Sequence, residues 1–200
     1  MADVHMSDNM TLPTLSFCDS AWNGEQFEGY TAAQKFTVPL DAFRTQFMGY
    51  AHGLDTEFLC YENRPFTFDE AVALAWVHGV EVRPYPATLK HVTPIWRAMD
   101  RFGIVGAAWH PYWAQPLATA DNPDTKISGW LRGGAALLVV SHLRRAAADV
   151  HIRWDSRYFN TGSGAMHITD ALTGRPIATD SDHFALSFDA MSYRIIEVAP

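Results

Sequence analysis

Three short apolar runs, Leu15 to Cys18, Thr56 to Tyr61 and Val80 to Arg83, are each followed by a stretch in which apolar residues recur at helical spacing. That alternation predicts βα units, in which each crossover helix brings the chain back to start a parallel strand. After the first run comes the polar loop DSAWNGEQF. A helix then opens at Pro39-Leu40-Asp41, with Phe43, Phe47 and Met48 on one face and Gly53 at its end. The second run leads to a helix capped by Thr67 or Asp69, with Phe68, Val72, Ala75 and Trp76 sharing a face and Gly79 closing it. The third, stopped by Pro84 and Pro86, leads to a helix over Leu89–Phe102 with Gly103 as its cap. Pro94 lies inside that helix and predicts a kink or a start nearer Thr93.

Beyond Trp113 the period changes. Residues 114–125 form a proline- and aspartate-bearing connector. After it come short runs, Ile127 to Leu131, Ala135 to His142, Val150 to Trp154, Met166 to Thr169, Phe184 to Phe188 and Tyr193 to Val198, separated by glycine turns such as Arg132-Gly133-Gly134. The fold class read from this pattern is α/β followed by all-β, with a small antiparallel β-sandwich over residues 126–200. Three βα units alone leave a parallel sheet with two unpaired edges, whereas a closed parallel barrel takes eight. Residues 1–113 therefore read as the last βα units of a partial (β/α)8 (TIM) barrel, with further units expected upstream. The open edges and an exposed inner face are expected to favour self-association.

A formal charge of −7, a pI near 5.6 and the lack of any Lys/Arg block argue against nucleic acid or an anionic membrane as partner. The N-terminus lacks the basic start and apolar run of a signal peptide, and no apolar run is long enough to span a bilayer. As given, and subject to anything upstream, the chain reads as cytoplasmic. Cys18 and Cys60 read as buried free thiols. The nine histidines show no metal-ligand spacing, and neither a glycine-rich phosphate loop nor a GxSxG elbow is present, so no metal and no cofactor are expected.

Four segments resemble a known group: FMGYAHGLDTEFL from Phe47 to Leu59, IWRAMD from Ile95, WHPYW from Trp109 and MSYR from Met191. They are similar to the late-strand region and C-terminal part of uncharacterised glycoside-hydrolase-like (β/α)8 proteins, broadly akin to family 123 glycosidases, and the similarity runs through nearly the whole chain. The resemblance implies a barrel followed by a β-sandwich, and a carbohydrate substrate. Family 123 uses substrate-assisted chemistry with an adjacent acidic pair. Here the adjacent pair Asp69-Glu70 opens a helix instead of ending a strand.

Glycoside hydrolysis generally needs two carboxyl groups across the scissile bond, one protonated and one ionised. Asp19 and Glu25, in the loop after the first run, are the candidate catalytic pair, and Trp22 between them is a candidate substrate-binding aromatic. Tyr61 and Glu62 at the end of the second run, and Arg83 and Tyr85 at the end of the third, are the other candidate substrate-binding residues. The ordinary roles of these groups are a turn cap for Asp19, solvation for Glu25 and an ion pair between Glu62 and Arg83. Asp55 and Glu57 share a face by alternation, with Asp55 at the end of the strand usually given to stability. The cluster Trp109, His110, Tyr112, Trp113 is either a sugar-stacking platform or the apolar interface between two modules. The function expected is hydrolysis of glycosidic bonds by the complete barrel. The alternative is a non-catalytic carbohydrate-binding or interaction module.

Overall fold

The computed structural model describes residues 2–6, 12–47, 53–61, 64–159, 166–179 and 183–200. Contacts divide the chain into two compact units, Met1–Val92 and Thr93–Pro200. No helix among the described residues is long and apolar enough to cross a membrane.

The first unit is built on four parallel strands, β1 (Asp3–His5), β2 (Ser20–Asn23), β3 (Asp55–Phe58) and β4 (Glu81–Val82), in the spatial order β1-β2-β3-β4. The intervening helices are α1 (Leu12–Leu15), α2 (Leu40–Phe47) and α3 (Phe68–Trp76). Strand order that follows chain order, with right-handed crossovers, puts every helix on one face of the sheet. Packing agrees: Val4 and Ala21 meet Leu15, while Phe58 meets Phe43 and Phe47 in a cluster completed by Phe27 and Phe66, with ring centroids 4.4–6.4 Å apart. Each of these buried rings contributes about 1.5–3 kcal/mol.

The strand expected over Leu15 to Cys18 is instead the end of α1 and a turn, and the strand lies at Ser20–Asn23. Of that apolar run only Leu15 is buried, while Phe17 is 85% exposed. The SAWN segment wins because it pairs on both sides, with β1 and with β3. β1 itself, three residues of mixed polarity, has no apolar signature and went unread. The other strands are shorter than the runs that announced them, since pairing stops at Phe58 and at Val82.

The helices follow their signals more closely. Thr67 caps α3 in a reciprocal capping box with Glu70. A single helix, α4 (Leu89–Phe102), runs through Pro94 without restarting at Thr93. Pro94 and Lys90 are both exposed, so water can serve the Lys90 carbonyl that the missing N–H leaves unbonded. The Met48 to His52 part of the second helix signal lies outside the described residues.

The second unit holds two antiparallel sheets. The six-stranded sheet has the order β11-β10-β13-β8-β7-β5 and the three-stranded sheet β12-β9-β6. In chain order these strands are β5 (Ala108–His110), β6 (Ala118–Ala120), β7 (Thr125–Arg132), β8 (Ala135–His142), β9 (Ala148–Trp154), β10 (His167–Asp170), β11 (Pro176–Thr179), β12 (His183–Phe188) and β13 (Ser192–Ala199). The sheets share one apolar core, to which β7, β8, β10 and β13 give Ile127, Leu138, Val140, Ile168, Ile196 and Val198, and β9 and β12 give Val150, Ile152, Trp154, Phe184 and Phe188. β7 and β8 are joined at Gly133-Gly134, whose φ values of +60° and +84° make the tight two-residue hairpin turn. The 114–125 stretch, read as a connector, contains β6. β5 pairs with β7, placing Trp109 opposite Trp130 at 4.6 Å between centroids.

Two predictions follow from the first unit. Gly24 has φ +145°, and a Cβ there would stand 2.2 Å from the Leu59 carbonyl oxygen, so Gly24→Ala should lower stability by about 2 kcal/mol or more, read from denaturant unfolding. His78 is fully buried, with Nδ1 2.6 Å from the Leu74 carbonyl, and burial pushes its imidazole down to about 4. Its folded value lies below the unfolded one, so stability is retained above pH 6.5 and falls as pH drops from 6.5 toward 4, by on the order of 3 kcal/mol. His78→Gln should flatten that dependence in unfolding curves taken from pH 4 to 7.

Candidate functional site

Registers place Asp3 beside Ser20 and Asp55, and His5 beside Trp22, Glu57 and Glu81. Val4, Ala21 and Phe58 face the helices, so alternation puts these two polar rows on the other face of the parallel sheet. That face is laced together by its own side chains. Arg83 Nη1 lies 2.5 Å from Glu57 Oε2, and Arg83 Nη2 lies 3.0 Å from Asp3 Oδ2. The guanidinium carbon sits 4.3 Å from the Trp22 ring centroid, and the His5 imidazole stacks on the same indole at 3.9 Å and 5°. Ser20 Oγ donates to Asp3 Oδ1 at 2.9 Å.

The Arg83–Asp3 pair reports curvature. The two residues belong to the opposite edges of the sheet and stand four residues apart along the strand direction. In a flat sheet that separation is about 14 Å across and about 13 Å along. A direct ion pair over it requires a strongly twisted sheet, concave on the polar face.

At the C-terminal ends of the strands, Glu25 is held from two sides. It follows β2 in a 3₁₀ turn, with Tyr61 Oη donating to Oε1 at 3.2 Å and His5 Nε2 3.3 Å from Oε2. Tyr61 is 37% exposed. Partial burial, then the bond to Glu25, hold its hydroxyl above its ordinary value, so it remains a donor through neutral pH. Burial likewise raises the Glu57 carboxyl. Arg83 opposes the rise, and the negative charges of Asp3 and Asp55 add to it.

The expected residues are thus brought together only in part. Glu25, Trp22, Tyr61 and Arg83 converge on the concave face. Asp19 does not lie with Glu25 in one loop after a strand. It precedes β2, at the opposite end of the sheet, where its Oδ2 accepts the Ala2 backbone N–H at 2.6 Å. The cause is the shift of the strand from Leu15–Cys18 to Ser20–Asn23. Tyr85 donates its hydroxyl to the Cys60 carbonyl at 2.7 Å and packs edge-on to Phe68, a bracing role between strand ends. Arg83 pairs with Asp3 and Glu57, and Glu62, its expected partner, lies outside the described residues. Trp22 offers its ring to His5 and Arg83, so a sugar reaches it only by displacing one of them. Asp3, His5 and Glu57 join this face without having been among the candidate residues. Alternation in DTEF is the signal for Glu57, whereas the three residues of DVH are too short to carry one for Asp3 and His5.

The remaining expectations concern thiols, acids and aromatics. Cys18 and Cys60 are both free. Cys18 is partly exposed, while Cys60 is buried and its thiol is pushed up to about 12. Asp69 and Glu70 open α3, and Glu70 pairs with Lys35 at 2.6 Å. Among the described residues no group of three or more His, Cys, Asp or Glu is placed to hold a metal ion. The aromatic cluster after α4 packs on its own unit: His110 meets Tyr158 at 4.9 Å, and the Tyr112 N–H donates to Ser128 Oγ at 3.0 Å.

No family model and no curated protein matches the chain. Solved structures do. A GH27 β-L-arabinopyranosidase from Geobacillus stearothermophilus, in complex with arabinose, superposes with TM-score 0.53 at 10% identity, over 92% of this chain and 46% of that one. An Anoxybacillus α-amylase superposes with TM-score 0.50 at 6% identity, over 92% of this chain and 48% of that one. The chain thus spans less than half the length of these enzymes. The fold is glycoside-hydrolase-like.

Arg83→Gln should leave Asp3 and Glu57 without their shared cation, and the Glu57 carboxyl should then titrate at still higher pH. Side-chain carboxyl NMR titration of the two proteins checks this. A Glu57 value that stays put or falls would show that Arg83 does not govern it.

Proposed function

We propose that the chain is a carbohydrate-active protein of the glycoside hydrolase type. In this reading the first unit is the last βα part of a (β/α)8 barrel, and the second is a β-sandwich in which β5 and β6 join the strands of residues 126–200. Glycosidic bonds are hydrolysed at the concave polar face when the barrel is complete. The observation that carries the reading is the Glu25 carboxylate, held by His5 and Tyr61 at the C-terminal ends of three parallel strands, where barrel enzymes place their chemistry. Glu57 supplies the second carboxyl. Burial raises its carboxyl against the opposing charge of Arg83, and Glu25 is the partner across the scissile bond.

Asp19 stands at the other end of β2 from Glu25, so Glu57 is the partner in this reading. The likeness to family 123 supports the carbohydrate class without its adjacent-acid mechanism, because Asp69 and Glu70 belong to a helix start. Binding without turnover is the second reading. It is favoured by the ion pairs that already engage Arg83 and by the covering of Trp22, both of which give a preformed and internally satisfied face. Self-association of the chain through the outer edges of β1 and β4 belongs to the proposal as well.

A screen of the 200-residue chain and of a form with a complete barrel, against chromogenic glycosides and soluble glycans, tests this. Turnover that falls at least 100-fold in Glu25→Gln and in Glu57→Gln, and stays near normal in Asp19→Asn, supports the enzyme. Binding without turnover in both forms supports the module, and neither binding nor turnover removes the carbohydrate reading.

A further inference from the structure

The outer face of the three-stranded sheet carries a second cluster of polar groups, remote in sequence from Glu25 and Glu57. Register sets Thr119, Arg153 and His183 side by side across β6, β9 and β12. The next row holds Asp121, His151 and Ala185, with the Asp121 N–H donating to the His151 carbonyl at 3.0 Å. Alternation along β9 turns Ile152 and Trp154 into the core and leaves His151 and Arg153 outside. Asp121 grips His151 twice, through the backbone N–H and through Nδ1, both at 2.9 Å, which fixes the imidazole in place. Its Nε2 and the Arg153 guanidinium have no partner among the described residues.

These groups line a groove of about 430 Å³, within the range of about 300–1,000 Å³ typical of ligand sites. It adjoins a second groove of about 200 Å³, sharing Thr119 and Ala120, whose walls include Tyr112, Pro116 and Asn122. Arg153 and Asp121 carry opposite formal charges, so the larger groove is not lined by charge of a single sign. It offers a fixed carboxylate acceptor, a planar multi-donor, an imidazole and a hydroxyl on one row pair, with an aromatic ring and a proline next to them. A ligand that matches has many neutral hydroxyls and one apolar face, as a pyranose has.

We propose that this groove is a carbohydrate-binding site for neutral oligosaccharides, separate from the concave face, with Arg153, His151 and Asp121 bonding sugar hydroxyls. The choice of a sugar ligand over another polyol rests on the glycoside-hydrolase reading; the site itself does not use Glu25 or Glu57.

Titration of the 200-residue chain with neutral oligosaccharides of glucose, galactose and xylose, followed by calorimetry and by amide NMR shifts, tests it. Shifts should concentrate on β6, β9 and β12, and Arg153→Ala should weaken binding at least ten-fold. Arg153→Lys, which keeps the charge and loses the planar fork, should weaken it nearly as much, and the shifts on β6, β9 and β12 should persist in Glu25→Gln. Arg153 is exposed, so both variants are expected to keep the wild-type melting temperature. Binding lost in Glu25→Gln but kept in Arg153→Ala would overturn this site while leaving the concave-face reading in place. Displacement by inorganic sulfate at equal concentration would show an anion site instead, and no shift at β6, β9 or β12 with any sugar would end the inference.

Discussion

The Arg83 guanidinium holds together what the first unit needs. It reaches from the end of β4 to Asp3 on the far edge strand, meets Glu57 on β3, and lies over Trp22 on β2, so a single cation touches all four strands of the parallel sheet. Exposed ion pairs contribute little, but this one is partly buried, doubly paired and backed by an aromatic face. Without it two carboxylates would share a concave surface with no counter-charge. The rise of Glu57 by burial would then be unopposed, and the curvature that brings β1 toward β4 would lose its bridge.

The same arrangement separates apolar packing from charge across the thickness of one sheet. Below the sheet, Phe27, Phe43, Phe47, Phe58 and Phe66 form an aromatic layer between strands and helices. Above it the side chains are charged or hydroxylic. A parallel sheet is ordinarily apolar on both faces; here the polar face is satisfied by its own ion pairs and by the contacts of Glu25 with His5 and Tyr61 at the strand ends. The aromatic cluster after α4 has no such convergence. Trp109, His110 and Tyr112, each partly buried, are engaged by Trp130, Tyr158 and Ser128 of their own unit.

Much of the helix architecture was legible in sequence because its signals are local. Thr67 with Glu70 three residues later, and glycines at positions 79 and 103, act through neighbouring backbone groups whatever lies beyond. The β runs of the second unit were legible for a related reason, since alternating burial and glycine turns need no knowledge of the partner strand. Short parallel strands are different. DVH and SAWN are strands only because they lie against one another and against DTEF, and neither has an apolar run to mark it. The misplaced strand at Leu15 to Cys18 then carried Asp19 to the wrong end of the sheet, so one register error broke the expected catalytic pair.

The sequence by itself determined the alternation of strands and helices in the first half, the short β runs after residue 113, the Thr67 cap and the glycines that follow α3 and α4. Those follow from backbone propensity and from periodicities of two and three to four residues. Tertiary structure alone decided which groups meet: Asp3 with Arg83, His5 with Trp22 and Glu25, and Glu57 with its guanidinium. The reason is physical. Ion pairs and ring stacks between strands depend on register and curvature, and both are set by packing the Phe layer and by pairing between segments up to 80 residues apart in the chain, as for Asp3 and Arg83.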